Sequence, residues 1–149
     1  MAKTTIRIQT EPFDLAHEVE ELSHGEAGAV ATFTGAVRAE DGLTALVLEH
    51  YPGMTEREIA SQVDEAGRRW PLLGVTVIHR VGELKPGERI VLVAVAARHR
   101  GDAFAACEFL MDHLKTEAPF WKEERRGENR RWVEARASDG EALERWKRR

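Results

Sequence analysis

One cysteine, Cys107, stands in a chain of 149 residues. That scarcity excludes an intrachain disulfide framework and a cysteine-rich zinc site, since both need several thiols. No apolar run reaches the ~18–20 residues that a membrane-spanning helix needs. The start, Met1-Ala2-Lys3-Thr4-Thr5, has no apolar stretch of the kind a secretion signal carries. The expectation is a soluble, cytoplasmic protein. No glycine-rich phosphate loop of the Walker or dinucleotide type occurs, and no G-x-S-x-G elbow. The six histidines, at 17, 24, 50, 79, 99 and 113, lack metal-ligand spacing such as H-E-x-x-H. Neither a metal nor a resident cofactor is expected. Acidic side chains are too dispersed for a hydrolase dyad. No repeat, low-complexity tract or Pro/Ser-rich linker divides the chain, which points to one domain over residues 1–149.

What is present is a 42% hydrophobic, 32% charged chain with a formal net charge of −4, able to bury a real core. The charge is unevenly spread. Residues 1–97 carry a net of −6, whereas residues 98–149 carry +2, with the basic excess in Arg98, Arg100, Lys115, Lys122, Arg125, Arg126, Arg130, Arg131 and Arg136. Acidity overall argues against broad nucleic-acid binding, which rests on many phosphate contacts. A local basic pocket for one small anion remains compatible with it.

Local patterns place the elements. Ile6 and Ile8 alternate with polar neighbours and predict a short first strand. Asp14 suits the cap of a helix through Leu22. Residues 29–38 read as a strand, with residues 44–51 as its hairpin partner across the polar turn 39–43. Thr55-Glu56-Arg57-Glu58 has capping-box spacing, with Thr55 at the cap, and Pro71 ends the helix that follows. Residues 75–81 and 89–96 are the strongest strand signals, joined through Gly82, Pro86 and Gly87. A second long helix is predicted from Asp102 to Thr116, stopped by Pro119. Residues 120–124 and 131–135 read as paired short strands, and residues 141–147 as a terminal helix. The fold class is α+β, with a mainly antiparallel or mixed sheet and helices inserted singly.

Three places invite chemistry. Arg98-His99-Arg100-Gly101-Asp102 joins the end of a buried strand to the start of a helix, where unpaired N–H groups favour anions. It is either such a site or a solvated basic loop. Further on, Lys115 falls roughly 80° from the centre of the apolar face formed by Ala103, Phe104, Cys107, Leu110, Met111 and Leu114. A lysine there either snorkels or turns its amine into a partly dry pocket suited to acid–base or covalent chemistry. Pro119 turns the chain, so Lys122 can approach Lys115 again. Phe120 and Trp121 either complete the core or serve a planar ring. The third place is Arg38, at the end of the strand carrying Gly35, where the glycine suits a bulge or a close approach of ligand to backbone. Cys107 lies on the apolar helix face, where a structural thiol is the ordinary case.

These residues recur in ordered blocks: Thr32-Phe33-Thr34-Gly35-Ala36-Val37-Arg38, Leu48-Glu49-His50-Tyr51-Pro52-Gly53-Met54-Thr55-Glu56 and Val77-Ile78-His79-Arg80-Val81-Gly82. They continue through His99-Arg100, Met111-Asp112, Leu114-Lys115-Thr116, Ala118-Pro119-Phe120-Trp121-Lys122 and Trp132-Val133-Glu134-Ala135. In this order, over roughly residues 12–136, the blocks resemble the large, catalytic subunit of molybdopterin synthase, the MoaE family.

The resemblance implies an α/β-hammerhead-like fold and a sulfurtransferase of molybdenum-cofactor biosynthesis. Such proteins take sulfur from a small ubiquitin-like carrier whose C-terminal Gly-Gly ends in a thiocarboxylate. They deliver two sulfurs to cyclic pyranopterin monophosphate, forming the dithiolene of molybdopterin. It implies Lys115 and Lys122 as catalytic lysines, and Arg38, His99 and Arg100 as substrate-binding groups. Ala36 and Val37 beside Arg38, and Glu123 and Glu124 beside Lys122, fall where the family contacts the pterin. Arg136 is implied to reach the pocket from a second subunit. The implied assembly is a heterotetramer, a homodimer of large subunits with one carrier at each end. Arg98 and His113 depart from the residues common in the family. Two other readings fit the same residues: a non-catalytic module binding a phosphorylated metabolite or acidic protein tail, and a transferase using Cys107.

Overall fold

The fold is that of a computed structural model, which describes residues 2–133 and 137–147, with the backbone alone in 137–140. Its first sheet has the order β1-β4-β6-β2, built from β1 (Lys3–Gln9), β4 (Leu72–Arg80), β6 (Arg89–Ala97) and β2 (Ala29–Ala36). β1 runs parallel to β4, and the other pairs are antiparallel. β4 and β6 read as near-continuous apolar runs because both their faces are covered, as buried strands must be. On one face Val75, Val77, Val91, Val93 and Val95 meet α2 (Met54–Arg69) and α3 (Arg100–Thr116). On the other, Ile78, Leu92, Ala94 and Ala96 meet Leu22 of α1 (Leu15–Leu22).

The second sheet has the order β5-β3-β7-β8, all antiparallel, from β5 (Gly82–Leu84), β3 (Ala45–His50), β7 (Phe120–Arg126) and β8 (Asn129–Val133). The sequence-based hairpin between residues 29–38 and 44–51 is therefore not formed. β2 pairs with β6, while β3 crosses to the second sheet and lies between β5 and β7. The β7–β8 pair and the terminal helix α4 (Ala137–Lys147) form as the sequence reading expects, but β7 runs on to Arg126, β8 starts at Asn129 and α4 starts at Ala137, earlier than residue 141. Residues 134–135 lie outside the described residues.

Asp14 caps α1 as expected, its Oδ1 accepting from the His17 N–H at 3.1 Å. At α2 the expectation shifts by two residues. Gly53, at φ 86°, is the cap, and the Glu56 carboxylate accepts from its N–H at 2.8 Å. Thr55 sits inside the first turn, fully buried. Its hydroxyl accepts from the Tyr51 N–H and donates to the Pro119 carbonyl, tying the start of α2 to the turn that precedes β7.

α3 is held along its second half. Phe109 is fully buried and packs edge-on against Trp70 and Trp146, with centroids 5.4 and 5.5 Å away. Trp146 Nε1 donates to Asp112 at 2.6 Å, joining α4 to α3 one turn before Lys115. His113, one of the family departures, is buried and its Nδ1 donates to the Phe109 carbonyl, so its role is structural. Arg80 is a knot of a different kind. Its guanidinium donates twice to the Thr10 carbonyl, and also to the Arg89 carbonyl and the Glu88 carboxylate.

Gly28 carries a sharp prediction. A Cβ there would stand 2.4 Å from the Arg98 carbonyl oxygen, a backbone atom that cannot swing aside. Gly28→Ala is expected to cost about 1–3 kcal/mol, as overpacking does, measured by urea unfolding. Unchanged stability would mean that the two segments can separate.

Candidate active site

A cleft of about 500 Å³ opens between the two sheets at the C-terminal end of α3. β2, β4 and β6 give it Phe33, His79 and Val91 on one side; β3, β7 and β8 give it Leu46, Phe120 and Val133 on the other. Met111 and Leu114 close its end. Charges set beside these apolar side chains act more strongly than charges in open solvent.

Lysines enter from two directions. Lys115 comes from the last turn of α3, exposed, with no ion pair among the described residues. The negative end of the helix dipole favours a cation at that position. Lys122 comes from β7, half-buried. Strand alternation puts Phe120, Lys122 and Glu124 on the cleft face of β7, while Trp121 and Glu123 face away. Arg38 stands at the rim. A register shift at Gly35/Ala36 breaks the β2–β6 ladder, and the next residue is refastened: the Val37 N–H donates to the Glu88 carbonyl, and the Gly87 N–H to the Val37 carbonyl. Gly35 is thus both at a bulge and on the cleft wall. Arg38 lies 3.6 Å from Glu40, Glu40 pairs with Arg126, and Arg126 with Glu124, so the rim acids are engaged by arginine.

Of the sequence-selected residues, Ala36, Val37, Arg38, Lys115, Lys122 and Glu124 line this one cleft. Glu123 does not; it binds Arg125 at 2.8 Å on the opposite face of the sheet. His99 and Arg100 do not either. They lie exposed at the start of α3, and at 1.5 Å rise per residue the helix separates His99 from Lys115 by about 24 Å. Arg136 lies outside the described residues. Arg98, the other departure, pairs with Glu26 in solvent.

His79 was missed as a site residue. It sits in the apolar run of β4, yet its ring lines the cleft and stacks on Phe120 at 3.8 Å and 16°. Burial, with the Lys122 and His50 charges adding to it, lowers its pKa to about 4, although the Arg80 carbonyl opposes the shift. The only sequence signal was a polar ring within a run otherwise made for a core.

Cys107 is not part of the cleft. It is buried, its Sγ donates to the Val93 carbonyl at 3.7 Å, and burial pushes the thiol up to about 11. A thiol so placed is protonated at neutral pH and a poor nucleophile. Cys107→Ala is expected to keep the wild-type turnover while costing about 1 kcal/mol of stability. Loss of turnover in the folded variant would return the thiol to consideration.

Comparison with known proteins gives the family. A family model described as "MoaE protein" matches residues 8–117. The molybdopterin synthase catalytic subunit of Escherichia coli is 55% identical, over 98% of this chain and all of its own. That of Ralstonia nicotianae is also 55% identical, over 95% of this chain and 84% of its own. The structure of a molybdopterin biosynthesis MoaE protein from Burkholderia ambifaria superposes with a TM-score of 0.84 at 56% identity, covering 99% of both chains. With a match that takes in β2, β4, β6 and the whole of α3, the chain belongs to the MoaE family.

Proposed function

We propose that this chain is the catalytic subunit of a molybdopterin synthase, a sulfurtransferase acting in the cytoplasm on cyclic pyranopterin monophosphate. The observation that carries the reading is the convergence of Lys115 and Lys122 on one cleft, from different elements, over an apolar floor with Arg38 at the rim. The substrate brings a phosphate and the sulfur donor a thiocarboxylate, so both reactants are anions and a cationic cleft recruits them. Arg38 suits the phosphate, since guanidinium binds such oxygens in a planar fork. Lys115 gives a proton to the oxygen that leaves the pterin side-chain carbon as sulfur attacks it, so each new C–S bond replaces a C–O bond. Lys122 offsets the charge that develops. Sulfur bonded to both acyl group and pterin is a thioester; water that cleaves the acyl–sulfur bond leaves the sulfur on the pterin and the carrier as a carboxylate. The sulfur arrives on the partner, so no enzyme thiol is needed, which suits the buried Cys107.

The relatives are named as catalytic subunits, and that name supports a further chain as partner. By the family resemblance this is a ubiquitin-like carrier with a Gly-Gly thiocarboxylate tail, bound to each end of a dimer of large subunits. The dimer also accounts for His99 and Arg100. Too far along α3 from Lys115 of their own chain, they join with Arg136 in the cleft of the second copy. Co-expressed Lys115→Ala and Arg100→Ala chains, each nearly inactive alone, are then expected to recover up to about a quarter of wild-type activity. That statistical share follows from mixed dimers with one intact site. Absence of recovery in proven mixed dimers would return His99 and Arg100 to a role outside the cleft.

The direct test mixes purified protein, thiocarboxylated carrier and cyclic pyranopterin monophosphate, and measures molybdopterin. Product is expected. Tight binding of the pterin without product would overturn the reading in favour of a non-catalytic binding module.

A further inference from the structure

His79 is held in one state by two contacts of its ring, and the acceptor of one of them is itself fixed. A carbonyl oxygen only accepts, so the 2.8 Å contact between Nδ1 and the Arg80 oxygen puts the ring proton on Nδ1. The stack on Phe120 fixes the plane of the ring. The peptide carrying the acceptor is fixed in turn, because the Arg80 side chain is tied to Thr10, Glu88 and Arg89. What this leaves for chemistry is Nε2, with a lone pair and no hydrogen bond of its own among the described residues. Its ring stacks on Phe120, and two residues on, from the same face of β7, comes Lys122, whose charge is felt at the imidazole.

A ring serving only as filler beside Phe120 would be better made of carbon, since a buried imidazole needs polar partners. We propose that His79 is a positioning residue for Lys122: a small swing of the flexible lysine side chain lets its ammonium donate to Nε2, which aims that group along the cleft. The proposal rests on the sulfur-transfer reading, in which Lys122 is one of the two acting amines. A neutral imidazole is the right partner for this task. It offers a directional acceptor to the ammonium without neutralising it, as a carboxylate would, so the cleft keeps its positive charge. Burial and the neighbouring cation both keep the ring neutral across the physiological range, so the acceptor is always present.

Two substitutions separate position from packing. His79→Asn keeps an N–H near the Nδ1 position, and with it the bond to Arg80, but has no atom where Nε2 stood. His79→Gln places an amide near Nε2 and gives up the bond to Arg80. In folded protein, His79→Asn is expected to lower kcat for molybdopterin formation about 10–100-fold, with KM for the pterin nearly unchanged. His79→Gln is expected to regain at least half of that loss on a logarithmic scale, despite its poorer packing. A packing role predicts the reverse order.

A second readout does not depend on turnover. In ¹⁵N-histidine-labelled protein at pH 7, His79 is expected to show a protonated Nδ1 and a bare Nε2. Lys122→Met is expected to move the Nε2 resonance while leaving Nδ1 in place. An Nε2 signal indifferent to Lys122→Met overturns the proposal, as does wild-type kcat in folded His79→Asn. A wild-type protein that makes no molybdopterin overturns the sulfur-transfer reading instead, and the resonance then decides the His79–Lys122 contact alone.

Discussion

Lys115→Ala is expected to lower the rate of molybdopterin formation by about 10²–10⁴-fold, the range for loss of a positioned acid–base or charge-stabilising group. Stability should hardly move. The side chain is exposed in the last helical turn and pairs with no described acid, and such surface changes usually stay within about 0.5 kcal/mol. The effect should fall on kcat more than on KM, because an ammonium that acts as sulfur attacks contributes most in the transition state. Lys115→Arg keeps the charge but replaces a compact donor with a wide planar fork that titrates far above neutrality. If only the field matters, arginine restores most of the rate; if a proton must move, it does not. Steady-state kinetics on both variants decide the point, and full activity in Lys115→Ala would remove the lysine from the mechanism.

Acidification is expected to remove about 3 kcal/mol of stability between pH 6.5 and pH 4, through His79 alone. The sign follows from which state takes the proton first. The unfolded chain binds it near 6.5, whereas the folded protein resists until about 4. Protons therefore favour unfolding throughout that interval, and the stability present above pH 6.5 is lost as pH falls to about 4. Urea unfolding at pH 7, 5.5 and 4.5 measures the slope. In His79→Gln the slope in this window should be shallower, even though the variant starts from a lower stability. Carboxylates enter later and in the same direction. Glu65 is held below the usual range by Arg69 and Arg68, and Glu88 by the Lys85 backbone and Arg80. Both lose their contribution only below about 4.5, the ordinary carboxylate value. An equal slope in His79→Gln would mean that the buried ring is not the group titrating.

The elements that period and capping specify were legible in the sequence: the alternation at Ile6 and Ile8, the Asp14 cap, the stops at Pro71 and Pro119, and the two apolar runs that became β4 and β6. Partner choice was not. Leu46 and Leu48 alternate identically whether β3 joins β2 or lies between β5 and β7, so the shortest connection was preferred, as chain neighbours usually pair. Three residues of β5 are too few to carry a period of their own. The capping spacing selects Thr55–Glu58, whereas Gly53 and Glu56 cap α2 in the structure. Only the buried hydroxyl of Thr55, already committed to Pro119, separates them.

Within the site, the helical angle of Lys115 and the turn at Pro119 were enough to bring two lysines toward each other. The bulge at Gly35 was anticipated as well. His79 escaped notice because an imidazole in an apolar strand looks like any core position until its neighbours are known. His99 and Arg100 were grouped with Lys115 by chemistry, and the length of α3 then separates them within a single chain.

Arg80 has a consequence for how the protein opens. Its guanidinium fastens the end of β1 and the start of β6, while its own carbonyl holds the His79 ring. The inner wall of the cleft is thereby stitched to the centre of the first sheet, among amides that exchange with solvent only when much of the molecule unfolds. The rim is different. Arg38 and Lys115 stand on a bulged strand end and a last helical turn, where opening needs few broken bonds. The same cleft therefore joins a slow wall to a fast rim, and substrate meets a fixed His79 wall while the side that admits it is free to adjust.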